Sequence, residues 1–208
     1  GDEGVVDRGA MRQIPYSEDV TKGAILRTRR RAAGKEITLS AKVAVQGFFD
    51  PVIRESLVPP MVLGGAELDL RGILAPPLSL RAELLVGGRG LAAEVAPGSS
   101  FDADYFQLLG GVGAFFTPTV PGAAWLRPFF GVRVELIWVQ RFFKPVGVME
   151  DQFYLGGAPG VSGGLGFRWA DRSGLQLEGR AHGSFWATDD KQQVLGYAEG
   201  LASIWFAL

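Results

Sequence analysis

The chain has no cysteine among its 208 residues. That excludes a disulfide framework and removes the commonest structural zinc ligand. It also has no charge of one sign in surplus: the formal net charge is −1. Nucleic acid is therefore not an expected partner, since binding it calls for a face rich in Lys and Arg. The chain opens on Gly1-Asp2-Glu3-Gly4 with no charged-then-apolar leader, which leaves localisation undecided. Histidine is scarce too, with His182 the sole example. With one His and no Cys, no metal site and no cofactor are expected, and Glu150-Asp151 and Asp189-Asp190 read as solvated loop residues.

Also missing is an uninterrupted helical span. The longest uncharged run, Tyr105 to Leu126, is long enough to cross a bilayer as a helix. It holds Pro118 and Pro121 with Gly110, Gly111, Gly113 and Gly122, all unfavourable inside a helix. A strand, turn and strand is the better reading.

Glycine is abundant instead, at 30 residues, about twice the usual share of roughly 7%. Many of these glycines fall inside apolar alternating runs, where they mark strand bends or close packing. The Gly-rich "YLGGAPGVSGGLGF" is followed by no helix and no Lys-Ser/Thr pair, so a phosphate loop is not indicated.

Period-two alternation accounts for most of the chain beyond residue 36. In Ile37–Phe49, Ile37, Leu39, Ala41, Val43, Val45 and Phe49 oppose Thr38, Ser40, Lys42 and Gln46. In the second run Ala66, Leu68 and Leu70 oppose Glu67, Asp69 and Arg71. In the third Leu78, Leu80, Ala82, Leu84 and Val86 oppose Ser79, Arg81 and Glu83. Runs follow with apolar faces at Phe106–Phe116, Phe130–Trp138, Val161–Trp169, Leu175–Phe185 and Val194–Leu208. Eight strands is the count, or ten if "GAILRT" joins the sheet and a long run divides. Pro128 near the start of the fifth strand needs a one-sided position.

Connections alternate in length. Longer ones are expected near 50–60, 95–104, 146–160 and 188–192, and shorter ones at Pro76-Pro77, Pro118–Ala124 and Asp171–Gly174. Together these features predict an all-β, antiparallel up-and-down transmembrane barrel over 36–208, with both termini in the periplasm. Residues 1–35, ending in the basic "ILRTRRRAAGK", read as an N-terminal periplasmic extension or linker.

On this reading the polar faces line the lumen. They place Lys42, Arg71, Arg81, Arg133, Arg141, Arg168 and Arg180 against Glu67, Asp69, Glu83, Glu135, Glu178 and Glu199. An eight-stranded barrel leaves room only for side chains, and enclosed charges must pair. A salt-bridged plug is the expectation. Phe49, Trp138, Trp169 and Phe206 lie toward strand ends, as aromatic girdles would. Phe101, Val146, Met149, Phe153 and Tyr154 are expected in loops as candidate partner contacts.

The strand count, the loop rhythm and the final run "YAEGLASIWFAL" resemble the small outer-membrane barrels of the OmpA and OmpX type. The resemblance covers about residues 36–208. It implies a Gram-negative outer membrane, with lipid and lipopolysaccharide as surroundings and an envelope protein as possible partner through loops or the N-terminal extension. It implies no single activity.

A noncatalytic anchor or docking component is the first expectation and a transport accessory or narrow porin the second. The third is a lipid-modifying enzyme. His182-Gly183-Ser184 with Glu199 on the next strand resembles the His-x-Ser of outer-membrane lipid A deacylases, in which base, nucleophile and carboxylate act together. Here His182 and Ser184 share parity with lumen charges, which weighs against a site open to lipid.

Overall fold

Residues whose side chains alternate between apolar and polar cannot satisfy both faces in a single solvent, so a closed sheet with two different surroundings is the natural outcome. The computed structural model of the chain describes residues 35–51, 54, 58–96, 99–144, 150–188 and 191–208, with side chains undescribed at 91–96, 99–101, 186–188 and 191–193. The expectation for residues 1–35 falls, Lys35 apart, outside the described residues.

Eight strands follow one another: β1 (Glu36–Phe48), β2 (Met61–Arg71), β3 (Leu78–Ala96), β4 (Ser99–Phe116), β5 (Leu126–Lys144), β6 (Gln152–Ala170), β7 (Ser173–Thr188) and β8 (Lys191–Ala207). Each pairs antiparallel with the next, and β1 pairs with β8 to close the barrel. The seam runs from Thr38 opposite Ala207 to Phe48 opposite Tyr197. An even number of strands brings Glu36 and Leu208 to the same end, where Leu208 N–H donates to the Ile37 carbonyl at 2.9 Å. Connections 72–77, 117–125 and 171–172 share that end, called the turn end below. The run from Tyr105 to Leu126 is the end of β4, the 117–125 connection and the first residue of β5.

Several expected loops are strand. The stretch expected as a loop at 95–104 is almost wholly the tips of β3 and β4, joined at 97–98. Likewise β6 starts at Gln152, and β7 and β8 are joined at 189–190. Phe101 therefore lies in β4, and Phe153 and Tyr154 in β6, rather than in loops. Met149 and Val146 lie outside the described residues.

Pro128 is accommodated as anticipated for a one-sided position. β4 stops at Phe116, opposite Phe130, so residues 126–129 pair with β6 alone. Pro159 has a larger effect. The β6–β7 register passes from Gly157↔Phe185 to Gly160↔His182 with no pairs at Ala158 and Pro159, because proline has no N–H to give the ladder.

Burial is inverted relative to a water-soluble barrel. Lys42, Glu67, Glu83, Arg133, Glu135, Glu178, Arg180 and Glu199 are buried, while Leu84, Val112, Val132, Val134, Leu136 and Val161 are more than half exposed. Aromatic side chains edge this apolar band at both ends: Phe116, Trp125, Phe130, Trp169 and Phe206 at the turn end, and Phe49, Phe106, Trp138, Phe153 and Phe185 at the other. A surface of this kind is stable in hydrocarbon and would be an aggregation hazard in water.

Candidate functional site

The interior is stratified along the barrel axis. At the turn end it holds aromatic rings and arginines. The Arg81 guanidinium lies between Phe129 and Phe115, 4.0 and 4.4 Å from the two ring centres. Its Nε is 3.5 Å from Asp69 Oδ2, while Asp69 Oδ1 accepts from Ser79 and Oδ2 is also 3.8 Å from Arg71. Arg127 and Arg168 meet Glu36 at 3.0 and 3.1 Å and lie over Trp205. A cavity of about 10 Å³ between Thr38, Asp69, Arg71, Arg127, Gly166, Gln176 and Trp205 has room for about one water.

The middle layer is a connected set of ion pairs from six strands, β1, β2, β3, β5, β7 and β8. Lys42 of β1 contacts Glu67 closely and Glu83 and Glu178 at 3.1 Å each. Arg133 of β5 contacts Glu83 closely, with Glu135 at 2.7 Å and Glu178 at 3.4 Å. Arg180 of β7 reaches Glu83 at 2.5 Å, Glu178 at 2.7 Å, Glu199 at 3.1 Å and Glu135 at 3.2 Å. Gly111 makes space for this layer: a side chain there would collide with Arg133 and press on Glu83. Neutral donors complete the carboxylates' hydrogen bonding. Ser162 and Gln176 donate to Glu178, Tyr197 to Glu135 at 2.6 Å, and Gln46 to Glu199 at 3.0 Å.

Above the charges the lumen becomes apolar. Phe48, Met61, Leu63, Leu85, Leu109, Ile137, Val139 and Phe143 are buried together. Arg141 lies at this level, 5.0 Å from the Tyr105 ring centre and 5.5 Å from that of Phe143. These apolar residues were not among the sequence candidates. Their signal is parity: Leu85 and Ile137 share the face of the charged residues on their own strands, and Leu109 that of the buried Gln107.

The expected lumen charges thus lie inside the barrel wall: the central set, Asp69 with Arg71 and Arg81, Arg168 with Glu36 and Arg127, and Arg141 at the apolar level beside Tyr105 and Phe143. His182, Ser184 and Glu199 also face inward. Ser184 Oγ donates to the Leu195 carbonyl at 2.7 Å. Glu199 is engaged by Arg180 and Gln46, and the carboxylate in ion-pair range of His182 Nε2 is Glu135 of β5, at 3.4 Å. The ring of His182 stacks on Tyr197 with centres 4.7 Å apart. At the loop end Phe153 is 73% exposed, while the Tyr154 hydroxyl donates to Gln152 at 2.8 Å. Phe101 has no described side chain.

Fold and burial together define a class, the small eight-stranded transmembrane barrel. No family model and no curated protein sequence matches the chain. Solved structures do. Neisserial surface protein A is similar at 14% identity with a TM-score of 0.54, over 83% of this chain and 96% of that one. Ail, the attachment invasion locus protein of Yersinia pestis, solved with the heparin analogue sucrose octasulfate, is similar at 10% identity and TM-score 0.55, over 84% and 99%. The outer membrane protein OprG of Pseudomonas aeruginosa is similar at 10% identity and TM-score 0.50, over 85% and 96%. The chain has the fold of the small bacterial outer-membrane barrels, and at these identities the likeness extends to fold alone.

Proposed function

We propose that this chain is a noncatalytic barrel of the bacterial outer membrane, with both termini in the periplasm, that anchors or docks a component of an envelope complex. The observation that carries the proposal is the filled interior. Among the described residues, a central ion-pair layer, an apolar layer above it and an aromatic–arginine layer below it argue against an aqueous path for a solute. Outer-membrane lipid and lipopolysaccharide would surround the apolar band between its two aromatic belts. The long strand tips at the end away from the termini favour the periplasmic placement of the termini.

A noncatalytic reading is favoured by the commitments of the candidate triad. Ser184 is enclosed and hydrogen-bonded to backbone, and Glu199 is held by Arg180 and Gln46. A lipid ester has no approach to that hydroxyl through the barrel wall. The central test is recovery of a stoichiometric envelope protein with the full chain from mild detergent extracts. A chain recovered alone across such extracts would overturn the docking proposal. Changed membrane lipids on overexpression, lost in His182→Ala or Ser184→Ala, would replace it with the enzymatic one.

A further inference from the structure

The central layer is not electrically balanced. Its connected ion pairs join three cations, Lys42, Arg133 and Arg180, to five carboxylates, Glu67, Glu83, Glu135, Glu178 and Glu199. With all five carboxylates ionised the layer would carry two surplus negative charges, which are costly in a low-dielectric interior, and a dication would cancel them.

The site for such an ion lies at the top of this layer. Glu135 of β5, His182 of β7 and Glu199 of β8 present ligand atoms that all lie within 4.8 Å of one another, and all three side chains are fully enclosed. His182 Nε2 is buried and has no hydrogen-bond partner. Its other ring nitrogen faces the Ala158 carbonyl at 3.4 Å, the carbonyl where Pro159 interrupts the β6–β7 ladder. A proton on Nδ1 given to that carbonyl leaves the Nε2 lone pair directed at the two carboxylates. A backbone carbonyl orienting a ligating imidazole is the usual second-layer arrangement of a metal-bound histidine. Gly160 permits the pose, because a side chain there would collide with the His182 ring. The carboxylates are also oriented, Glu135 by the Tyr197 hydroxyl and Glu199 by the Gln46 amide.

We infer that Glu135, His182 and Glu199 form an intralumenal binding site for a first-row divalent cation of the zinc type. One imidazole nitrogen and two carboxylate oxygens suit zinc or cobalt better than the all-oxygen shells of calcium and magnesium. Arg180 Nη1, at 3.1–3.2 Å from Glu199 and Glu135, yields its place to the ion, while Nη2 stays on Glu83 and Nε on Glu178. The ion enters while the barrel forms, since apolar side chains close the lumen above the site.

The full chain, refolded into detergent micelles with zinc chloride and then desalted, is expected to retain one zinc per chain. His182→Gln is expected to lose it, and Ser184→Ala to keep it. Tyr197→Phe preserves the ring stack but removes the hydroxyl on Glu135, so it should weaken zinc by about 10–100-fold, the usual effect of losing a second-layer partner. Because His182 is the only histidine, its ring signals in NMR report on the site without any substitution. They should shift when the chain is refolded with one equivalent of zinc and broaden when it is refolded with cobalt. Ring signals unchanged by zinc, no retained zinc in folded wild type, or equal retention by folded His182→Gln would each overturn the site. None of these outcomes bears on whether the barrel docks a partner.

Discussion

Lys42 is the residue on which the interior depends most visibly. It is the only cation that β1 brings to the central layer, and it serves Glu67, Glu83 and Glu178 at once. Removing one partner of a buried charge set leaves the others uncompensated, at a cost of about 3–5 kcal/mol. Lys42→Met is therefore expected to lower the unfolding free energy of the micelle-folded barrel by that order, read as a lower urea midpoint. A midpoint within error of wild type would show that the carboxylates had found protons or another cation. Gly160→Ala probes the same interior from the wall. It should fold less stably and move the His182 ring signals, because the added carbon occupies the space of the imidazole.

At the scale of the strand, the outward face is the one hydrocarbon must accept. Val134 lies in the middle of β5 and is 55% exposed. Val134→Arg is expected to cost about 2–4 kcal/mol in a bilayer-folded barrel, against about 0–1 kcal/mol for an arginine near the interface, as at Phe206. Equal costs at the two depths in equilibrium unfolding from lipid vesicles would contradict the placement of the band. The outward face was also the legible one. Alternation from Leu39 to Val43, or from Leu78 to Leu84, announces itself because polar residues separate the apolar ones. It fades where the interior is apolar as well. Leu84-Leu85-Val86 and Leu136-Ile137 put hydrophobic side chains on both faces, and Gly64, Gly65, Gly87 and Gly88 supply none. Those are the places where β2 and β3 extend past their expected limits. Strand tips rich in polar residues likewise read as loops, as at Phe101 beside Ser100 and Asp102 and at Phe153 beside Asp151 and Gln152. Site chemistry was harder still. Glu135 stands 47 positions before His182, and only the barrel's curvature brings β5 across the lumen to β7 and β8.

For the whole molecule, the stratified interior predicts an electrically silent barrel. Full-length protein in planar bilayers should show no steady conductance above the lipid baseline at moderate voltage. A reproducible unitary step would require the ion-pair layer and the apolar layer to part together, and would favour the transport alternative. Replacing Leu85, Leu109 and Ile137 together by serine tests which layer seals. If the apolar layer contributes, water and small ions gain access to the charges and conductance appears.

Closure at the β1–β8 seam also sets a schedule. Thr38 waits for Ala207, and Phe48 for Tyr197, so the first strand made is the last to find its second neighbour. Hairpins can zip in order, but the five carboxylates and three cations come into register only when the final seventeen-residue strand arrives. Before that moment the nascent sheet carries unmatched charge along one face and an open edge along each side. The molecule has no half-finished state worth occupying, and assembly must be close to all-or-none, its commitment step lying at the C-terminal strand.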